Sequence, residues 1–167
     1  ESMAVAHPTN PKILSALATC FESYDEFSKA AESYKKAADA STEEKQRFNL
    51  LGRAILSFEK SSQPTQANAI RAVLRESKPT SKEVELALLL ALKNDAEHAE
   101  DEDAALAVME RILDVDPSDT DTRFQLAYKY SQQDSSDVAL FHYLRIPPSQ
   151  RTPMTWNNIG AALGFFS

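Results

Sequence analysis

The length, composition and charge of the sequence describe a folded chain and exclude several classes of protein. With 167 residues, 43% of them hydrophobic, the chain can bury a core in one domain or one short array of repeats. The formal net charge is −7, and the 18 basic residues are scattered among 25 acidic ones, which argues against a nucleic-acid-binding surface. Three glycines are too few and too far apart for a glycine-rich phosphate loop.

We expect neither end of this sequence to be a membrane-spanning segment or a secretory signal. The uncharged stretch from Thr152 to Ser167 is too short and too polar for a spanning helix. Residues 1–10 lack the basic and apolar regions of a secretory signal. We interpret Glu1-Ser2-Met3 as amino acids encoded by a cloning vector. The single cysteine, Cys20, forms no internal disulfide and is expected to pack as a small apolar residue. We therefore expect a cytoplasmic protein without membrane insertion.

Helical periodicity runs through the chain, and strand-like alternation is absent from the sequence. Apolar residues first recur three and four positions apart between Ile13 and Phe21, and again between Phe27 and Ala38. Four helix starts are indicated by a capping side chain followed by proline, or by a glutamate three residues later. These starts are Asn10-Pro11, Ser41 with Glu44, Thr80 with Glu83, and Thr152-Pro153. The sequence predicts an all-α fold.

A short pattern of large and small residues recurs along the chain. Leu17-Ala18-x-x-Phe21 reappears 34 residues later as Leu51-Gly52-x-x-Ile55. Two further copies, themselves 33 residues apart, are Leu126-Ala127-x-x-Tyr130 and Ile159-Gly160-x-x-Leu163. A second helix then carries a small residue and an aromatic four residues later, as in Ala30 with Tyr34 and Ala139 with Tyr143. The small residues allow the two helix backbones to approach closely. Because the pattern recurs, it predicts a two-helix unit that is repeated along the chain.

This period and pattern resemble the tetratricopeptide repeat (TPR) family. After a tail over residues 1–10, the resemblance places a single array over residues 11–167. Its repeats cover residues 11–42, 44–78, 81–117 and 119–151, followed by a half repeat over 152–167. The implied fold is a right-handed superhelical solenoid of antiparallel helix pairs with about nine helices.

Two repeats depart from the pattern, and the last one is incomplete. Repeat two is expected to have a long turn, SSQPTQAN, and repeat three an acidic insertion from Asp95 to Asp103. We interpret that insertion as a solvated, mobile loop and not as a cation site, because it lacks the spacing of a calcium loop. The half repeat ends at Phe165 and Phe166, which predicts a fragment of a longer array; a lone capping helix is the alternative.

The resemblance implies a non-catalytic scaffold that binds a protein or peptide segment in a concave groove lined by the first helices. The matching groove positions are Lys12, Ser15, Thr19, Glu22, Asn49, Arg53, Phe124, Tyr128 and Asn157. The alternative is a structural spacer or self-association arm, either monomeric or a weak homodimer through the exposed C-terminal helix. An RNA-binding helical repeat is disfavoured by the acidic charge. We predict no catalytic residue, cofactor or metal.

Overall fold

Helices are the only regular secondary structure in the computed structural model, which describes residues 9–164. They are α1 (Pro11–Ser23), α2 (Phe27–Ala40), α3 (Glu44–Lys60), α4 (Pro64–Glu76), α5 (Lys82–His98), α6 (Glu102–Val115), α7 (Thr120–Gln132), α8 (Ser136–Arg145) and α9 (Pro153–Ala162), with a 3-10 turn at Pro148–Gln150. For the described residues, the predicted all-α class and the expected number of helices are confirmed. Glu1-Ser2-Met3, Phe165 and Phe166 lie outside this range, so the interpretations of both ends stay predictions. Within it, no helix combines the length and apolarity needed to cross a membrane.

The helices fall into two compact units that meet in sequence between Asp101 and Glu102. In unit 1, which holds α1–α5, helix α2 packs against both α1 and α3, and α3 packs against α5. In unit 2, which holds α6–α9, helix α8 packs against both α7 and α9. Within each unit a second helix therefore lies against its own first helix and the first helix of the following repeat. The single array over residues 11–167 stays a prediction.

Four turns, each joining the two helices of a pair, share one backbone geometry. One residue per turn has a φ of 55–59°, and the N–H of the next residue donates to the carbonyl five residues back, over 2.8–3.0 Å. This is the Schellman arrangement that ends many helices. The positive-φ residues are Asp25, Ser62, Glu100 and Asp134. Five residues after each one comes a fully buried alanine, namely Ala30, Ala67, Ala105 and Ala139. These alanines fix the structural register of the four repeats.

This register corrects the predicted length differences between repeats. Helices α3 and α5 have 17 residues each, whereas α1 and α7 have 13, so the extra residues lie in first helices and not in turns. Helix α4 begins at Pro64, inside the stretch predicted to be a long turn. The acidic run is not a loop either, because only Ala99–Asp101 separates α5 from α6. Carboxylates in the first turn of α6 interact favourably with the positive end of the helix dipole.

Small residues sit where the helix backbones approach, as the repeat pattern predicted for repeats one and four. Ala18, Ala30, Ala127 and Ala139 are all completely buried. Gly52 has a different neighbour: a Cβ at this position would lie 3.2 Å from the Cβ of Ala91 on α5. Its close approach is therefore to the first helix of the following repeat.

Two of the four predicted helix starts are confirmed and two are wrong. The Asn10 side chain accepts from the backbone of α1, and Thr152 forms a reciprocal capping box at the start of α9. Ser41 instead ends α2, and its hydroxyl bonds other groups. At α5 the cap is Ser81, one residue beyond the predicted Thr80, whose hydroxyl donates to a carboxylate of α3. The capping-box spacing failed because these hydroxyls have competing partners in the folded chain.

Candidate partner-binding site

Six of the predicted groove residues lie in unit 1, on the first helices α1 and α3. The four on α1 are spaced by three and four residues and so share one helix face, and the two on α3 are one turn apart. Exposed members of this set are Lys12, Thr19, Asn49 and Arg53, and half-buried members are Ser15 and Glu22. Both helices pack against α2, so the set borders a common second helix.

Glu22 is the centre of a hydrogen-bond network that joins three helices. Its carboxylate accepts from the Tyr34 hydroxyl at 2.8 Å and from the Arg53 guanidinium at 2.9 Å. The Ser57 hydroxyl donates to the other carboxylate oxygen at 3.0 Å, and the Thr19 hydroxyl lies 3.1 Å from that of Tyr34. The network therefore ties α1 to α2 and to α3.

The charge state of Glu22 is set by these contacts. Burial by itself raises the pKa of Glu22, but the hydrogen bonds from Tyr34 and Ser57 and the charge of Arg53 outweigh burial, and the pKa lies below its ordinary value. Burial, and then the hydrogen bond to Glu22, raise the pKa of Tyr34 to about 12 even though Thr19 and Arg53 act in the opposite direction. At neutral pH the carboxylate is ionised and the phenol keeps its proton.

The network brings together three predicted site residues, Thr19, Glu22 and Arg53. The guanidinium of Arg53 also lies over the Tyr34 ring, 4.4 Å from its centroid. Sequence reasoning missed the polar role of Tyr34 and missed Ser57 altogether. A signal for the first was present, because a fully buried tyrosine needs a hydrogen-bond partner for its hydroxyl.

Tyr34 lies four residues after the buried Ala30, and the equivalent residue in repeat two, four after Ala67, is Arg71. Arg71 donates two hydrogen bonds of 2.7 and 2.8 Å to Asp95 on α5. A third, of 2.7 Å, reaches Glu59 on α3. The hydrogen bonds that Arg71 donates to Asp95 raise the pKa of Arg71 above its ordinary value, against the opposing effect of burial. Arg71 thus links its own first helix to the next one, as Tyr34 does in repeat one.

Unit 2 repeats this arrangement with Tyr143, the residue four positions after Ala139. Its hydroxyl accepts a 2.9 Å hydrogen bond from the Asn158 amide on α9. The predicted Asn157 is exposed and one residue away from this contact. In all three cases one side chain contacts two successive first helices. The first helices carry the surface that is expected to bind a partner.

The two aromatic site residues of unit 2 lie one turn apart on α7. Tyr128 is 48% exposed. Phe124 is half-buried, and its ring packs edge-on against that of Tyr143 with centroids 5.6 Å apart. Of the two, Phe124 lines a surface pocket.

That pocket, named here the α7–α9 pocket, has a volume of about 710 Å³ and lies between α7 and the start of α9. It is lined by Thr120, Asp121, Phe124, Gln125, Ile146, Gln150, Thr152, Pro153, Met154 and Thr155. Only Asp121 in this set is charged, while Phe124, Ile146, Pro153 and Met154 supply apolar surface. Met154 is 61% exposed. An open pocket with apolar walls and a polar rim suits an apolar anchor side chain with a hydrogen-bonding backbone.

Cys20 is exposed on α1, so the prediction that it packs in the core is wrong. The core face of α1 carries Leu14 and Ala18, and a residue two positions after Ala18 points to the opposite side of a helix. Among the described residues, no three His, Cys, Asp or Glu side chains come close enough together to hold a metal ion.

Comparison with known proteins identifies the fold. No protein family and no curated protein matches the sequence. The structure is similar to that of YrrB, described as a TPR protein with an unusual peptide-binding site, with a TM-score of 0.52 and 16% identity. The similarity covers 91% of this chain and 75% of that one. At this level of identity the likeness shows the fold alone.

Proposed function

We propose that this chain, which has the fold of a tetratricopeptide repeat protein, is a non-catalytic scaffold that binds an extended segment of a partner protein. The segment lies along the exposed face of α7 in unit 2, where Tyr128 is 48% exposed. A large apolar side chain of the segment enters the α7–α9 pocket, next to Phe124 and Met154. The single observation that carries the proposal is this pocket, because its lining includes Phe124, a first-helix residue that the family resemblance implies to be a groove position.

The proposal is supported by an aromatic wall that is held in place and by exposed apolar side chains near it. Phe124 is held by Tyr143, so its ring is a fixed wall of the pocket. Met154 and Tyr128 are exposed and can bury apolar area on binding. An ordered aromatic ring provides anchor area at low entropic cost, and a flexible thioether adapts its shape to the side chain that it contacts. A peptide is also the class of ligand named for YrrB, the similar TPR protein.

Unit 1, taken by itself, offers a separate polar surface for a partner. Asn49 and Lys12 are exposed on the first helices, and an asparagine amide can bridge the N–H and C=O groups of an extended peptide. Arg53 is already bound to Glu22, so it presents its remaining N–H groups from a fixed position. We place this function in the cytoplasm, because the exposed thiol of Cys20 would be open to oxidation elsewhere.

The test is selection of binding peptides from a random displayed library, followed by affinity measurements on variants. Selected peptides should share one large apolar residue. Because Met154 forms an exposed wall, Met154→Asp should weaken binding at least about tenfold without unfolding the chain. Val73→Asp is a matched control on α4, where an apolar side chain is 44% exposed outside the pocket. Its affinity should equal that of the parent.

Two results would contradict the proposal. One is a selection that enriches no sequence, which would favour the structural-spacer alternative. The other is peptides whose affinity is lost in Val73→Asp but kept in Met154→Asp, because the binding site would then lie elsewhere on the chain.

A further inference from the structure

Helix α8 exposes an apolar face to solvent. Val138, Phe141 and Leu144 are 40%, 49% and 50% exposed. The opposite side of α8 is the packed one, where Ala139, His142 and Tyr143 are buried. Large apolar side chains grouped on one solvent-facing surface indicate a docking surface.

The equivalent face of repeat one is charged. Counted from the buried alanine of each repeat, the positions of Val138, Phe141 and Leu144 correspond to those of Lys29, Glu32 and Lys35 on α2. All three α2 residues are exposed. The large apolar side chains on this face of α8 are therefore not shared with the equivalent face of α2.

The charges on this face form a pattern that is complementary to itself. Phe141 lies at the centre, with Val138 three residues before it and Leu144 three residues after it. Asp137 lies four residues before Phe141, and Arg145 four residues after it. At 100° per residue all five side chains fall within about 120° of one another around the helix axis. The Arg145 guanidinium lies 3.6 Å from the Phe141 ring centroid, which keeps its charge on this face.

We propose that a second copy of the chain docks here, with α8 packed antiparallel against α8 of the partner about a two-fold axis at Phe141. In that arrangement the two phenylalanines meet, and each Val138 faces Leu144 of the other copy. Each Asp137 faces Arg145 of the other copy, so both ends of the pair carry opposite charges. Two-fold interfaces require this kind of self-complementary surface. The pairing is independent of peptide binding in the α7–α9 pocket and differs from dimerisation through α9.

The test is analytical ultracentrifugation of the chain and of two charge-reversal variants. The face is small, so the parent should dimerise weakly, with a Kd on the order of 100 µM. Asp137→Arg and Arg145→Asp should each weaken self-association at least about tenfold, because symmetry places every like-charge contact twice in the dimer. An equimolar mixture of the two variants should recover dimers, since both pairs in the mixed dimer are again opposite in charge.

The mixture distinguishes this geometry from other contacts. A parent that remains monomeric at about 1 mM overturns the proposal. A parent that dimerises while the mixture does no better than each variant alone also overturns it, because a different surface then holds the dimer. Phe141→Lys should abolish the dimer. Ile13→Lys, a control at an apolar residue of α1 that is 56% exposed, should leave it intact. Circular dichroism of each variant checks that the helix content of the chain is unchanged.

Discussion

Replacing Arg71 by alanine should destabilise unit 1 more than replacing either carboxylate that it binds. The side chains of Arg71 and Asp95 are 14% and 10% exposed, so loss of Arg71 leaves a nearly buried carboxylate without a cation. Removing one partner of a buried ion pair costs about 3–5 kcal/mol, and the residual exposure favours the lower end, about 3 kcal/mol. Asp95→Ala should cost about 2 kcal/mol, because Arg71 keeps Glu59 as a partner. Glu59→Ala should cost less than about 1 kcal/mol, since that side chain is 30% exposed.

The assay is urea unfolding followed by far-ultraviolet circular dichroism for the three variants and the parent. Arg75→Ala is the control, because Arg75 is an exposed arginine on the same helix and its loss should change stability by no more than about 0.5 kcal/mol. The reasoning is refuted if Arg71→Ala unfolds at the same urea concentration as the parent. It is also refuted if Glu59→Ala lowers the free energy of unfolding more than Arg71→Ala does. Either result would mean that Arg71 does not fix α3 against α5.

Three further predictions follow from the packing and the charges. Ala139→Leu overfills the crossing of α7 and α8 and should destabilise the fold by about 1–3 kcal/mol, measured by thermal unfolding. Arg53→Glu places a second carboxylate beside Glu22 and should cost about 1 kcal/mol more than Arg53→Met in the same assay. Burial lowers the pKa of His142 even though Glu110 opposes this, so the folded state binds fewer protons than the unfolded one. The contribution of neutral His142 to stability should therefore be fully present at pH values above the unfolded pKa of about 6.5 and should decrease as the pH falls below it. His142→Gln should remove this pH dependence.

The repeat architecture could be predicted because a few positions carry most of the packing. Ala30 and Ala139 were identified as close-approach positions, and both are fully buried. The partly wrong register of repeat two has a simple cause. A helical apolar stripe recurs every turn, so adding a turn to α3 leaves the stripe unchanged and moves only the following turn. Sequence periodicity does not distinguish a longer helix from a longer loop.

The geometry of the turn inside each helix pair could not be predicted from the sequence, for a different reason. Their positive-φ residues are Asp25, Ser62, Glu100 and Asp134, and none of them is the glycine that marks most left-handed helix ends. Four equal turns were therefore read as turns of unequal length. The backbone hydrogen bonds of the Schellman arrangement hold these residues in a conformation that their side chains alone do not favour.

The candidate site was predictable as a face but not as a set of contacts. The resemblance to the TPR family placed Thr19, Glu22 and Arg53 on first helices, where the structure has them. Their mutual hydrogen bonds depend on Tyr34 and Ser57, which come from other faces and other parts of the chain. Long-range partners of this kind leave no periodic signal. The α7–α9 pocket was missed similarly, because Ile146 and Met154 reach it from a loop and from another helix.

The measurement that tests the proposed function most directly is an NMR titration of the methionine methyl groups with a selected peptide. Met154 lines the α7–α9 pocket, whereas Met109 is completely buried on α6 and acts as an internal control. Binding in the pocket predicts a saturable shift of the Met154 methyl resonance and an unchanged Met109 resonance. A peptide that binds while the Met154 resonance stays in place would contradict the proposed site.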